Sequence, residues 1–113
     1  MTETSESPER PSRRRFQRRP CGRRILISYR HEDRRQLMHG RCLTVSQGGM
    51  GAVIDGRLDP DQQVAIEFME MGEEMFRTVR LEARVRYQDG FRHGFEFMSP
   101  ELVGPGRVQQ LAS

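Results

Sequence analysis

The sequence contains no lysine, only two cysteines and no long apolar run. No segment approaches the roughly 18 consecutive apolar residues of a membrane span, and no charged-then-apolar signal peptide opens the chain. Cys21 and Cys42 form neither a CxxC motif nor a multi-cysteine framework. These absences argue against a membrane-spanning or disulfide-stapled protein, and we expect a reduced, cytoplasmic one.

Sequence patterns for catalysis or metal binding are also missing. The three histidines and two cysteines lack metal-ligand spacing, and the residues around Ser46 do not form a GxSxG nucleophile elbow. His93 falls on the apolar face of a predicted strand, where a structural role is commoner than a catalytic one. We therefore predict no catalytic residue, no metal, no cofactor and no enzyme activity.

The charge is distributed unevenly along the chain. All 19 basic residues are arginine, and residues 1–41 carry 12 of them against 5 acidic residues, a net charge of +7. Residues 42–113 carry a net charge of −4. Such asymmetry indicates a basic front segment that meets anions. Arginine suits this task because its planar guanidinium binds phosphate and guanine through two parallel hydrogen bonds.

Apolar residues alternate with polar ones along most of the 113-residue chain, which has the length of a single domain. The clearest case runs over 79–87, where Val79, Leu81, Ala83, Val85 and Tyr87 share one face. This period of two predicts an all-β barrel or sandwich with mostly antiparallel pairing. Short strands are predicted near 23–30, 36–45, 52–54, 63–69, 79–87 and 91–97.

The two ends of the chain differ from this pattern. Residues 1–12 lack apolar periodicity and predict a disordered tail. Residues 13–19 form a basic arm, which contains Phe16 as its one aromatic residue. A short helical tail is predicted from Pro100 to Leu111, weakened by two glycines and a proline.

Two segments have features of a ligand site. Arg14 and Arg18 lie four residues apart in the basic arm, and several guanidinium groups there could converge on a compact anion. The glycine-rich turn at 46–51 offers the Ser46 hydroxyl and backbone N–H groups to a ligand. A solvated tail and an ordinary turn are the plain alternatives for the two segments taken singly.

Taken together and in this order, the two segments resemble the PilZ domain family. Its RxxxR motif matches Arg14–Arg18, and its (D/N)xSxxG motif matches Thr44–Gly49 with Thr in place of Asp or Asn. A late Gly-Phe-x-Phe, at 94–97, is also typical of the family. The resemblance covers about residues 12–111.

The resemblance implies a six-stranded antiparallel β-barrel with a short C-terminal helix over residues 13–111. It also implies binding of the bacterial second messenger cyclic di-GMP and signalling to an unidentified downstream protein, as in the control of motility or polysaccharide. Arg14 and Arg18 would grip phosphates and guanine edges, Arg13 and Arg15 would add contacts, and Ser46 and Gly49 would line the other side. The ligand-binding residues expected are Arg13, Arg14, Arg15, Arg18, Thr44, Ser46 and Gly49.

Thr44 leaves alternatives open, because a threonine hydroxyl accepts fewer hydrogen bonds than a carboxylate and carries no charge. One alternative is a degenerate PilZ adaptor that binds protein with weak or no nucleotide affinity. Another is non-specific RNA or DNA binding through the basic arm. The strands lack the exposed aromatic pattern of a base-stacking platform, which argues against this last alternative. No specific DNA or RNA partner is expected.

Overall fold

The computed structural model describes residues 17–71 and 76–112. Within these ranges lie seven strands followed by one helix. The predicted tail at 1–12 and most of the basic arm lie outside the described residues. The elements are β1 Arg19–Pro20, β2 Arg24–His31, β3 Arg34–Val45, β4 Gly49–Ile54, β5 Gln63–Met71, β6 Phe76–Asp89, β7 Arg92–Phe97 and α1 Pro100–Ala112.

Six of the strands close into an antiparallel barrel. Their order is β3-β2-β5-β6-β7-β4, and β4 returns to pair with β3. Closure gives every long strand two hydrogen-bonded neighbours and so removes the exposed edges that a sandwich keeps. The predicted six-stranded barrel is therefore confirmed, and the barrel-or-sandwich alternative is resolved.

The two-residue strand β1 lies outside this ring. It pairs with the end of β3, where Arg19 faces Val45 and Pro20 faces Thr44. Since β4 occupies the other edge of β3 at this point, β1 lies on the same edge as β2. The basic arm therefore joins the barrel wall beside Thr44.

The barrel interior takes one side chain in two from each strand, as the alternation predicts. Burying each large apolar side chain contributes roughly 1.5–3 kcal/mol. Helix α1 adds Val103, Val108 and Leu111 to the same core. The most deeply buried strand residues include Ile25, Ile27, Cys42, Val45, Ile66, Phe68 and Val85.

Two hairpins have turns that contain residues with positive φ. The β2–β3 turn consists of Glu32 and Asp33, which both adopt positive φ, 52° and 64°. The predicted strands near 23–30 and 36–45 leave a longer connection, but His31 and Arg34 pair within the ladder, so only two residues form the turn. In the β6–β7 turn, Gly90 has φ 63°. A hairpin is therefore present where it was predicted, but its loop residues are Gly90 and Phe91, because Asp89 pairs with Arg92 in the ladder.

The alternation fails at two aromatic residues. A β-bulge between Val85 and Tyr87 interrupts the pairing of β6 with β7, so Val85 points inward while Tyr87 is 46% exposed. Phe91 lies in the turn before β7 and is 54% exposed. The expectation that both rings continue the apolar faces of their strands is therefore wrong.

The predicted C-terminal helix is present and bends at Gly104, whose backbone is not helical (φ 71°, ψ 158°). Its far end is fixed to the barrel by Arg23, whose guanidinium donates to the carbonyls of Leu111 at 2.7 Å and Gln110 at 2.8 Å. The positive charge of Arg23 at this C-terminal end also interacts favourably with the helix dipole. Among the described residues, no helix is long and apolar enough to cross a membrane.

Candidate functional site on the outer face of the barrel

A groove of about 800 Å³ runs across the outer face of β4, β6 and β7. This volume falls within the roughly 300–1,000 Å³ of small-molecule sites. We call it the outer groove. It is lined by Arg18, Ser46, Gly48, Gly49, Met50, Arg86, Tyr87, Gly94, Phe95, Glu96 and Pro100.

Glycines keep the floor of the outer groove flat. Gly51 of β4 pairs with Gly94 of β7, and Gly49 pairs with Glu96. A Cβ at Gly94 would overlap the ring of Tyr87, and a Cβ at Gly49 would overlap the Phe95 carbonyl. Both positions therefore require glycine, because neighbouring groups of the barrel already occupy the space that a side chain would take.

The Ser46 turn closes one end of the outer groove. The Ser46 hydroxyl accepts hydrogen bonds from the N–H groups of Gly48 and Gly49, both at 3.2 Å, and lies 3.2 Å from the Gly49 carbonyl, to which it can donate. The Ser46 N–H also donates to that carbonyl at 2.8 Å. The side chain is thus committed to holding the turn. The turn itself is shorter than the predicted 46–51 segment, because β4 begins at Gly49.

The two sequence motifs meet at Arg18, which lines the groove, whereas Thr44 is not among the lining residues. Arg18 donates a hydrogen bond of 3.4 Å from Nη1 to the Oγ1 of Thr44, 26 residues further along the chain. The pairing of β1 with the end of β3 brings them together. Thr44 Oγ1 also lies against the buried backbone of Gly51. Arg13, Arg14 and Arg15 lie outside the described residues.

Eight of the eleven lining residues were not among those expected from sequence, and two of them, Arg86 and Tyr87, present large side chains from β6. Tyr87 projects its ring over Gly94, and Arg86 forms an ion pair of 3.2 Å with Glu96. Both side chains reach the groove because the bulge places consecutive residues of β6 at the outer face. The polar pattern of β6 puts Arg86 on the outside of the barrel, but no sequence signal ties it to a site.

The electrostatics of the described groove are weakly positive. Arg18 and Arg86 line it against one carboxylate, that of Glu96. The Arg86–Glu96 pair is solvent-exposed on both sides, so it contributes little to stability and leaves the guanidinium free to exchange partners. Within 17–71 and 76–112, no cluster of three or more His, Cys, Asp or Glu side chains could hold a metal ion. The groove is thus suited to a polar, anionic ligand.

Comparison with known families agrees with this architecture. The family model described as "PilZ domain" matches residues 12–112. The chain belongs to the PilZ domain family. PilZ domains are receptor modules that bind cyclic di-GMP rather than catalytic domains.

A solved structure shares the fold. The PilZ domain of YcgR from Escherichia coli, determined with c-di-GMP, superposes with a TM-score of 0.55 at 23% sequence identity. The match covers 88% of this chain and 86% of that one. No curated protein matches the sequence. The PilZ architecture is thus shared between two sequences that have diverged widely.

Proposed function

We propose that this PilZ protein is a receptor for cyclic di-GMP and that the outer groove is the binding site. The observation that supports this most directly is the contact between Arg18 and Thr44, which joins the RxxxR arm to the TxSxxG segment at one end of the groove. Residues far apart in sequence thereby form one polar rim above a glycine floor. A dianionic guanine dinucleotide matches such a rim in charge and in hydrogen-bonding groups.

Each part of the site has a distinct role in this proposal. Arg18, together with Arg13, Arg14 and Arg15 of the arm, binds phosphates and guanine edges through bidentate hydrogen bonds. Gly49 and its neighbours allow a base or phosphate to lie against the backbone. Ser46 acts as a positioning residue, since its hydroxyl already holds the turn.

The arm supplies the signalling step. Binding would dock the arm at residues 10–20 and so remodel a surface for a downstream protein in the cytoplasm. Ordering on binding is a common switch, because the free energy of ligand contacts offsets the entropy lost by the segment. Control of motility or polysaccharide is the output that we propose.

Isothermal titration calorimetry with cyclic di-GMP tests the site. We expect saturable binding by the full chain and a loss of roughly 10–150-fold in affinity for Arg18→Ala, the value of one charge-assisted hydrogen bond. Arg35→Ala is the matched control. Arg35 is an exposed arginine at the opposite end of β3, about 30 Å from Thr44 at the usual strand rise.

The two variants separate the proposed site from general basic charge. Equal losses for Arg18→Ala and Arg35→Ala, together with steep salt dependence and no preference over other guanine nucleotides, would indicate non-specific polyanion binding. No heat at high micromolar ligand in the wild type would exclude the receptor function.

A second candidate function is favoured by Thr44. This residue replaces the Asp or Asn of the motif and lacks the carboxylate that would accept guanine N–H groups. A degenerate adaptor would bind its protein partner without the nucleotide. A pull-down that recovers the same partner in equal amount with and without cyclic di-GMP supports this function.

A further inference from the structure

The two cysteines lie together at the root of the basic arm. Cys21 follows β1 directly, and Cys42 lies in β3 two residues before Thr44. Backbone hydrogen bonds of 2.9 Å join their segments, from Cys21 N–H to the Leu43 carbonyl and from Cys42 N–H to the Arg23 carbonyl. These bonds place Cys21 opposite Leu43 and Cys42 opposite Arg23, so the two cysteines are diagonal neighbours across the junction of the arm with β3. Cys21 also packs against the hydrophobic core to which Cys42 belongs, and such adjacency is what a disulfide requires.

The surroundings of the two sulfurs differ. Cys42 is fully buried, and its thiol lies 3.3 Å from the Thr44 carbonyl. Cys21 is partly exposed, and its sulfur lies 3.4 Å from the Leu111 carbonyl at the end of α1. Hydrogen bonding with the Cys42 side chain lowers the pKa of Cys21 most, burial opposes this, and the Arg23 charge adds a smaller lowering. One cysteine is therefore reachable from solvent, and the second is packed against it.

We propose that Cys21 and Cys42 form an oxidation site that reacts with hydroperoxides and closes to an intramolecular disulfide. Accessibility and the adjacent cation make Cys21 the attacking group, and contact makes Cys42 the resolving one. The two cysteines lie far apart in sequence and lack CxxC spacing, so the sequence by itself does not indicate that they form a pair.

The chemistry balances with peroxide as the oxidant. The Cys21 thiolate attacks one oxygen of the O–O bond, forms a sulfenic acid and releases hydroxide, which takes up a proton to give water. Cys42 then attacks the sulfenic sulfur, an S–S bond forms, and the second oxygen leaves as water with the proton from Cys42. The two thiols lose two electrons in total, and the peroxide gains them.

The disulfide would change the affinity of the outer groove for its ligand, and this consequence rests on the proposed function. Cys21 is three residues from Arg18, so a covalent link to β3 holds β1 against Thr44. This constraint holds Arg18 beside Thr44 before a ligand arrives and so lowers the entropy lost on binding. We expect the oxidised protein to bind cyclic di-GMP roughly 5-fold more tightly, the gain from ordering about one residue in advance.

Peptide mass spectrometry on the full chain tests the pair without any nucleotide. After treatment with hydrogen peroxide, we expect the intact mass to fall by two hydrogen atoms and tryptic peptides 19–23 and 42–57 to appear linked. Cys42→Ala should instead leave a sulfenic acid on Cys21 that dimedone traps. Cys21→Ala should leave the buried Cys42 unmodified under the same conditions.

Several outcomes would overturn the proposal. They are two free thiols in the wild type after peroxide treatment, disulfides that join separate chains, and modification of Cys42 in Cys21→Ala at the wild-type rate. Calorimetry with cyclic di-GMP then compares the oxidised and reduced wild type. Equal affinities would contradict the effect on the groove while the mapped disulfide stands, and absence of binding in both states would contradict the proposed function alone.

Discussion

The ring of Tyr87 lies directly over the backbone of Gly94, its partner across the β6–β7 pair. The β-bulge after Val85 turns this ring to the outer face. The absence of a side chain at Gly94 gives the ring its space. Together the two residues form one wall and part of the floor of the outer groove.

Substitution of Gly94 should displace the ring. A Cβ at this position overlaps Tyr87, so Gly94→Ala is expected to lower the free energy of unfolding by ~1–3 kcal/mol through overpacking. Gly106→Ala is the control, since a Cβ there meets open space; helix propensity predicts a small gain of ~0.5–1 kcal/mol. Urea denaturation measures both, and equal effects would contradict the contact described.

Tyr87 should contribute to binding as a stacking surface. A base stacked on an aromatic ring contributes ~1–3 kcal/mol, so Tyr87→Ala is expected to weaken cyclic di-GMP binding by roughly 5–150-fold. Tyr87→Phe keeps the ring and should retain most of the affinity. Phe91→Ala removes a ring of similar exposure that packs on Arg57 instead and should leave the titration unchanged.

Restoring the carboxylate of the motif should tighten binding. Thr44→Asp adds an acceptor for guanine N–H groups beside Arg18 and is expected to raise the affinity by roughly 5–150-fold, or ~1–3 kcal/mol. Thr44→Val, which keeps the shape and removes the hydroxyl, is the control. Competition calorimetry compares the three proteins; affinity that is the same for Asp, Thr and Val would place this position outside the ligand contacts.

His93 should matter for stability rather than for binding. It is fully buried, accepts a hydrogen bond of 2.9 Å from the Leu58 N–H through Nε2, and places Nδ1 3.1 Å from the Phe91 carbonyl. His93→Phe leaves the Leu58 donor buried without an acceptor, at a cost of ~1–3 kcal/mol. Chemical denaturation should show this loss, whereas His31→Ala, at an exposed position, should show little change.

The reactivity of Cys21 should depend on pH in an unusual range. The hydrogen bond from the Cys42 side chain lowers the pKa of Cys21 to about 6, and burial opposes this shift. The thiolate therefore predominates above pH 6. The rate of alkylation by iodoacetamide should rise with pH around this value and reach a plateau before pH 8. Cys42→Ala removes the hydrogen bond and should shift the midpoint upward. A wild-type midpoint near the ordinary value of ~8.5 would contradict the contact.

Much of the fold could be predicted from local pattern. Alternation along 79–85 specifies a strand with one buried face, and the turn residues at 89–90 specify a hairpin, because these features depend on neighbours in sequence. The order and spacing of the two motifs, from Arg14 to Gly49, indicated the PilZ family, which the family match confirms. The roles of the seven expected site residues stay predictions.

Other features arise from tertiary structure alone. The bulge at Arg86 inverts the face of Tyr87, and a pattern of period two cannot show one inserted residue in advance. The meeting of Arg18 with Thr44 and of Cys21 with Cys42 depends on β1 pairing with the far end of β3. The sequence by itself thus determined the strands, the hairpins and the family. Only the pairing of strands distant in sequence decided which side chains share a surface, because such non-local contacts are set across the whole sheet.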